Sequence, residues 1–283
     1  MGRRISKWNQ KKLDERIAQG FGRGDGKSWK PWLQFGDVSS RGVTSRLWSP
    51  KAQRVLTFFS NVEKCAFLVA EFLARFQGYH EQGPMDRELT QEICRHFGIR
   101  HPRYWGTKIA AVLTYDGLLF THGRRPQLID CKHSSTEITG RLEQHYAIRH
   151  EYAQRMDYSI VRITDQSYPW QLIHNLQWIR MSVLQRGHFC MSEMDIEICS
   201  TRLYDDLTRA IARGSSQPLR EYLRHASHSR GLLPHFGVFA LRRLLWEHHL
   251  TFDMTVHFHE LLHGPVHALS VEPRIALTPE EFA

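Results

Sequence analysis

The sequence predicts an α/β protein, with a mixed-sheet domain over residues 1–168 and a mostly helical, winged-helix-like domain over 169–283. Three observations lead there. Strand-like and helix-like runs alternate as far as residue 168, a turn-rich hexapeptide separates two apolar strands near residue 123, and helical segments dominate from Pro169 onward. At 283 residues the chain is long enough for two domains, each with its own core.

The elements follow in order. N-Q-K-K-L-D-E-R-I-A-Q (9–19) reads as a short charged helix, broken at once by G-F-G-R-G-D-G-K-S. Gly26, Lys27 and Ser28 invite a phosphate-loop reading, but that motif wants a glycine five positions earlier, where Phe21 stands. A buried strand should also precede it, and a polar helix does instead, so the segment reads as a flexible basic loop. T-S-R-L-W (44–48) and Q-R-V-L-T-F-F (53–59) are strand-like around a turn at Ser49 and Pro50. From Ser60 to Phe76, Val62, Ala66, Val69, Leu73 and Phe76 fall on one stripe, the mark of a helix packed on a sheet. Residues 108–120 give a strand signal, T-H-G-R-R-P turns the chain, and Q-L-I-D-C-K-H (127–133) returns as its partner. A helix bearing Leu142, Tyr146 and Tyr152 and the strand Y-S-I-V-R-I-T (158–164) close the domain. Beyond it, helices are expected over 169–181, 201–213 and 238–249, then a strand at T-F-D-M-T-V-H-F (251–258). Helices closed by a hairpin-like strand are compatible with a winged helix.

Composition narrows the function classes. Hydrophobic residues at 41% and charged residues at 24% suit a soluble globular protein. The sequence holds no apolar run of membrane-spanning length, and M-G-R-R-I-S-K-W-N-Q-K-K lacks the apolar core of a signal peptide, so a cytoplasmic location is expected. Five scattered cysteines, never in C-x-x-C spacing, support neither a disulfide framework nor a zinc knuckle. The net charge of +9 lies entirely in residues 1–60, where thirteen Lys and Arg face four Asp and Glu; the remainder holds twenty-five of each. Interleaved with Trp8, Trp29 and Trp32, that segment suits a polyanion such as DNA, with a merely solvated face as the plainer reading.

The chemistry concentrates in Glu63, Asp116, Asp130 and Lys132. Strand alternation puts Asp130 and Lys132 on one face, with Cys131 on the other. If the strands pair through the 121–126 turn, three carboxylates and a lysine converge. Phosphodiester hydrolysis needs oxygen ligands for one or two Mg²⁺ ions and a cation that orients or deprotonates water and offsets charge on the phosphate. Each residue also has a structural explanation: Ser60 and Glu63 form a capping box, Asp130 and Lys132 an exposed pair, Asp116 and Gly117 a turn. Against these jointly stands the D-x-K inside an apolar strand, where unpaired charge is costly.

The D-x(13)-D-x-K arrangement resembles the restriction-endonuclease-like PD-(D/E)xK nuclease core. The wider chain resembles the TnsA family, the endonuclease subunit of heteromeric cut-and-paste transposons. The matching text is R-G-D-G-K-S-W-K-P-W-L (23–33), S-S-R-G (39–42), F-S-N-V-E (59–63), H-E-Q-G-P (80–84), F-G-I-R-H-P (97–102), T-Y-D-G (114–117), I-D-C-K (129–132) and N-L-Q-W (175–178). The resemblance implies that Glu63, Asp116 and Lys132 are catalytic. It also implies that Glu63, Asp116 and Asp130 bind Mg²⁺, for which Mn²⁺ can substitute, with Asp130 the ligand most open to replacement. The superfamily's proline before the first aspartate is Tyr115 here. By the same resemblance the enzyme cuts the 5′ ends of a transposon while a TnsB-like DDE transposase cuts the 3′ ends, and the C-terminal domain engages a TnsC-like ATPase. Lys27, Lys30, Arg41, Arg46, Lys51 and Arg54 would hold the DNA backbone without reading sequence.

Two rival readings remain at this stage. One is a DNA-binding assembly factor without catalysis. The other is a zinc peptidase, because H-E-L-L-H (259–263) matches H-E-x-x-H. Gly264 and Pro265 end any such helix immediately, which argues against a catalytic zinc there.

Overall fold

The computed structural model of the chain describes residues 8–37, 43–184 and 191–271. They form two compact units: the described residues up to Glu71 together with Arg75–Ser167, and Phe72–Ala74 with those from Tyr168 onward.

The first unit opens with α1 (Gln10–Ala18), capped by Asn9, whose Oδ1 accepts from the Lys12 amide at 2.8 Å. Leu13 is its one buried residue, and Arg16 donates to the Trp32 carbonyl and to Asp37. The glycine-rich segment that follows is a folded part of the unit. Asp25 caps a short 3-10 turn at Gly26–Ser28, and Trp29 is buried with its ring flat on His80, centroids 3.9 Å apart. Trp32 is buried as well, and Trp8 stacks between it and Tyr104. The tryptophans interleaved with the basic segment are therefore largely consumed by the fold.

β1 (Ser45–Ser49) and β2 (Arg54–Phe58) pair antiparallel, and α2 (Asn61–Phe72) buries Val62, Ala66 and Val69 on its expected stripe. A four-stranded sheet carries the site, in the order β3 (Phe76–Glu81), β4 (Gly117–Thr121), β5 (Gln127–Cys131), β6 (Ser159–Ile163). The first three strands are antiparallel; β6 runs parallel to β5, reached through α4 (Gly140–Arg155). The sheet is thus mixed, as expected.

Three details differ from the sequence expectation. Phe76 begins β3 rather than ending the helix, and β3 itself is hidden in sequence because it buries His80 and Glu81. Both polar ends are met inside the protein: Trp29 covers His80, and Arg54 grips Glu81. α3 (Arg87–His96), capped by Asp86, lies in a mostly polar run and has only Ile93 and Cys94 as buried apolar residues. Residues 108–116 form no strand; they are held by the bridges Arg103–Ala110 and Pro84–Thr114 and supply Leu113 and Tyr115 to the core with Met85, Leu118, Leu128 and Tyr152.

The second unit is helical: α5 (Trp170–Leu184), α6 (Glu193–Ala212), α7 (Leu219–His228), α8 (Phe236–Trp246) and α9 (Phe258–His263). No strand forms at 251–258. Only Thr251 bridges, to Ser270, and the turn after it is organised by buried Asn175, which donates to the Met254 and Val256 carbonyls and accepts from the Phe258 amide. Among the described residues no helix is long and apolar enough to cross a membrane.

Candidate active site

Antiparallel pairing of Gly117 with Ile129 and of Glu81 with Gly117 sets the start of β4 between the ends of β3 and β5. Residues distant in sequence meet there. Asp116 accepts the Cys131 amide at 2.7 Å and lies 3.6 Å from Lys132 Nζ. Lys132 Nζ also donates to Asp130 Oδ1 at 3.1 Å and to the Cys131 carbonyl at 2.9 Å. Its backbone amide donates to the Ile163 carbonyl, so pairing with β6 continues past Cys131. Gly117 is required because a Cβ there would lie 2.0 Å from Tyr79 Oη.

Glu63 enters from the first turn of α2. Ser60 caps the helix, and the Glu63 carboxylate answers its hydroxyl rather than its amide: the Glu63 amide donates to Ser60 Oγ, and Ser60 Oγ donates back to Oε1 at 2.9 Å. Capping does not exhaust the carboxylate, however. Oε2 accepts from the Phe59 amide at 3.0 Å and from Gln82 Nε2 at 2.8 Å, and the Gln82 amide in turn donates to the Asp116 carbonyl. Gln82 is a buried residue in the left-handed region, φ 49°, that ties Glu63 to the Asp116 loop. No chemical signal in its own residue type would have singled it out.

Burial, reinforced by the negative charge of Asp116, pushes the Glu63 carboxyl up to about 7 against three hydrogen bonds that favour its ionised form. A buried carboxylate and a partly exposed one that repel one another are a donor set suited to a hard divalent cation. Glu63 and Asp116 therefore fit the role assigned to them. Asp130 does not in this arrangement. It is 2% exposed and turned to cations: Arg149 Nη1 at 2.8 Å, Lys132 Nζ at 3.1 Å and Arg162 Nε at 3.7 Å. Among the described residues no group of three His, Cys, Asp or Glu is set to hold a metal ion. α4 and β6 bring to Asp130 two arginines that the strand pattern could not show, and its carboxylate faces these cations in this arrangement. Burial disfavours the Lys132 charge, but Asp116 and Asp130 outweigh it and the pKa is raised, so Lys132 is an ammonium ion. Cys131 is buried on the other face, its thiol pushed well up by burial and by Asp116, Glu63 and Asp130.

No family model matches the chain. Over 102 residues it is 33% identical to a protein of Escherichia coli described as "Transposon Tn7 transposition protein TnsA". The similarity is to TnsA. The matched stretch covers 36% of this chain and 37% of that relative, so the relationship is TnsA-like over little more than a third of either.

The residues expected at DNA fare unequally. Lys27 and Arg46 are exposed; Lys30 is exposed with Nζ on the Gln19 carbonyl. Lys51 is half-buried over the Phe76 ring, and burial brings its pKa down to about 8. Arg41 lies outside the described residues. Arg54 is buried and corrected to a structural role: it grips Glu81 with both terminal nitrogens and donates to the Tyr79 and Gly26 carbonyls. His259, Glu260 and His263 are exposed on α9, with no third ligand, which leaves the zinc reading without a site among the described residues.

Proposed function

We propose that this chain is a DNA endonuclease of a Tn7-like transposition system, built on a PD-(D/E)xK core and dependent on Mg²⁺. The observation that carries the reading is Lys132 Nζ within 3.6 Å of Asp116 beside a Glu63 whose proton affinity Asp116 raises. Similarity to TnsA over 102 residues of the chain supports it. Glu63 and Asp116 would hold the cation, which when bound supplies positive charge to the attacking and leaving oxygens. Lys132, already protonated, acts as a fixed cation: it donates hydrogen bonds toward the scissile phosphate and offsets the charge growing there, rather than taking a proton from water. Asp130 keeps the ammonium in place, and Arg149 offsets the carboxylate in turn. Gln82 positions Glu63.

By the same relationship the cut falls at the 5′ ends of the element, in concert with a TnsB-like transposase. The helical unit would meet a TnsC-like ATPase. Its α6 and α7 each pack on α8, an arrangement compatible with the helical part of a winged helix, with the Thr251–Ser270 bridge in the place of a wing.

The test is strand-specific cleavage of transposon-end DNA with a TnsB-like partner and Mg²⁺. Lys132→Ala should abolish 5′-strand cleavage while partner binding persists; cleavage retained by that variant would remove the reading in favour of an assembly factor.

A further inference from the structure

A basic cleft adjoins the candidate active site and uses none of its residues. Arg100, His101 and Arg103, after α3, form one wall, and Arg141, Gln144 and His145, in the first turns of α4, form the other, around about 470 Å³. Between Glu92 and Asp116 the chain has no acidic residue, while Arg95, Arg100, Arg103 and Lys108 add four positive charges. Among the described residues Arg100, Arg103 and Arg141 are exposed and enter no ion pair. Arg141 stands where the dipole of α4 is itself positive, so charge and helix add rather than cancel, an arrangement that stability alone would not favour.

His145 joins the cleft to the site. It senses Arg149, Arg141 and Lys132 as well as Asp130, and burial followed by those cations holds its pKa below the usual value. His101 is lowered too, by burial and then Arg87 against a bond to the Pro102 carbonyl. The positive charge of the cleft is thus carried by its guanidiniums. Just past Arg103 the chain makes a tight hairpin, and Trp105 at its tip is 89% exposed.

We propose that this cleft is a nucleic-acid backbone site, holding successive phosphates of the DNA strand that leads to Lys132, with Trp105 stacking on a base of that strand. Three unpaired guanidiniums offer forked donors to phosphate oxygens, and an exposed indole among cations provides the π-face that sequence-independent strand binding uses. An acidic peptide could meet the same arginines but gives no role to the indole. The proposal rests on the nuclease reading only for the direction of the strand.

Binding of a labelled duplex with a single-stranded overhang to the full chain, followed by fluorescence anisotropy in chelator between 50 and 200 mM salt, tests it. R100E/R103E/R141E should weaken binding at least tenfold and lower the log–log salt slope by about 2 to 3, at about 0.9 per phosphate contact. Trp105→Ala should weaken overhang binding about fivefold or more and leave the slope unchanged. Arg220→Glu, exposed on α7, should leave both affinity and slope as they were. Arg141→Glu alone, with an unchanged melting temperature, should lower the slope by about 1 and covers the case of a poorly folding triple variant. Unchanged affinity and slope in the charge-reversed proteins would overturn the proposal, as would polyglutamate competing as well as DNA of equal charge. Because the chelator removes any need for chemistry, a chain that never cuts can still bind here. Conversely, failure of the cleft leaves the Lys132 cleavage assay standing.

Discussion

Replacing Glu63 with glutamine should make the protein more stable and catalytically dead, and the structure sets the size and pH range of the effect. The amide oxygen can keep the bonds from the Phe59 amide and Gln82, and the amide nitrogen can donate to Ser60 Oγ, so the cap survives. What is lost is a buried negative charge beside Asp116. Unfolded, Glu63 ionises near 4.5; folded, near about 7. Between those values the folded state binds more protons, so the group's contribution to stability, complete below 4.5, is lost as pH rises to about 7. Each pH unit of displacement is worth about 1.4 kcal/mol, which gives on the order of 3 kcal/mol above pH 7. At about 2 to 4 °C per kcal/mol, Glu63→Gln should melt roughly 6 to 12 °C above the parent at pH 8 in chelator, with the gap closing by pH 4.5. Millimolar Mg²⁺ should then raise the parent and not the variant. Melting curves across this pH range decide the matter: a variant less stable than the parent at pH 8, or a gap indifferent to pH, would refute the reasoning.

Three further outcomes follow from the same contacts. Arg54→Ala strands the Glu81 carboxylate in the interior and should cost about 3 to 5 kcal/mol in denaturant titration, while the salt slope of DNA binding stays the same. Asn175→Ala removes three hydrogen bonds around residues 254–258 and should destabilise the helical unit by about 2 to 4 kcal/mol, seen as a lowered transition of that unit. Gln82→Ala removes the side-chain bond to Glu63 while the backbone bond to the Asp116 carbonyl remains; cleavage should fall by about tenfold, with DNA affinity unchanged.

Sequence by itself determined the strand–turn–strand in and beside which Asp116, Asp130 and Lys132 lie, because the short apolar runs at 118–120 and 128–129 and the glycine-bearing turn between them are local signals. It also determined the capped helix of Glu63 and the change of character near residue 168. These depend on neighbours a few positions away, where periodicity and turn chemistry act. Tertiary structure decided the rest. β3 hides His80 and Glu81, polar residues that read as surface until Trp29 and Arg54, far away in sequence, cover them. The same long-range pairing removed Arg54 from the DNA-binding set and set Arg149 and Arg162 against Asp130. Gln82 gained its place beside Glu63 through a left-handed turn that no residue preference announces. A charge written in sequence is only a charge; whether it is a ligand, a brace or a contact for phosphate depends on which opposite charge the fold brings within a few ångströms, and that is settled by packing between elements rather than within them.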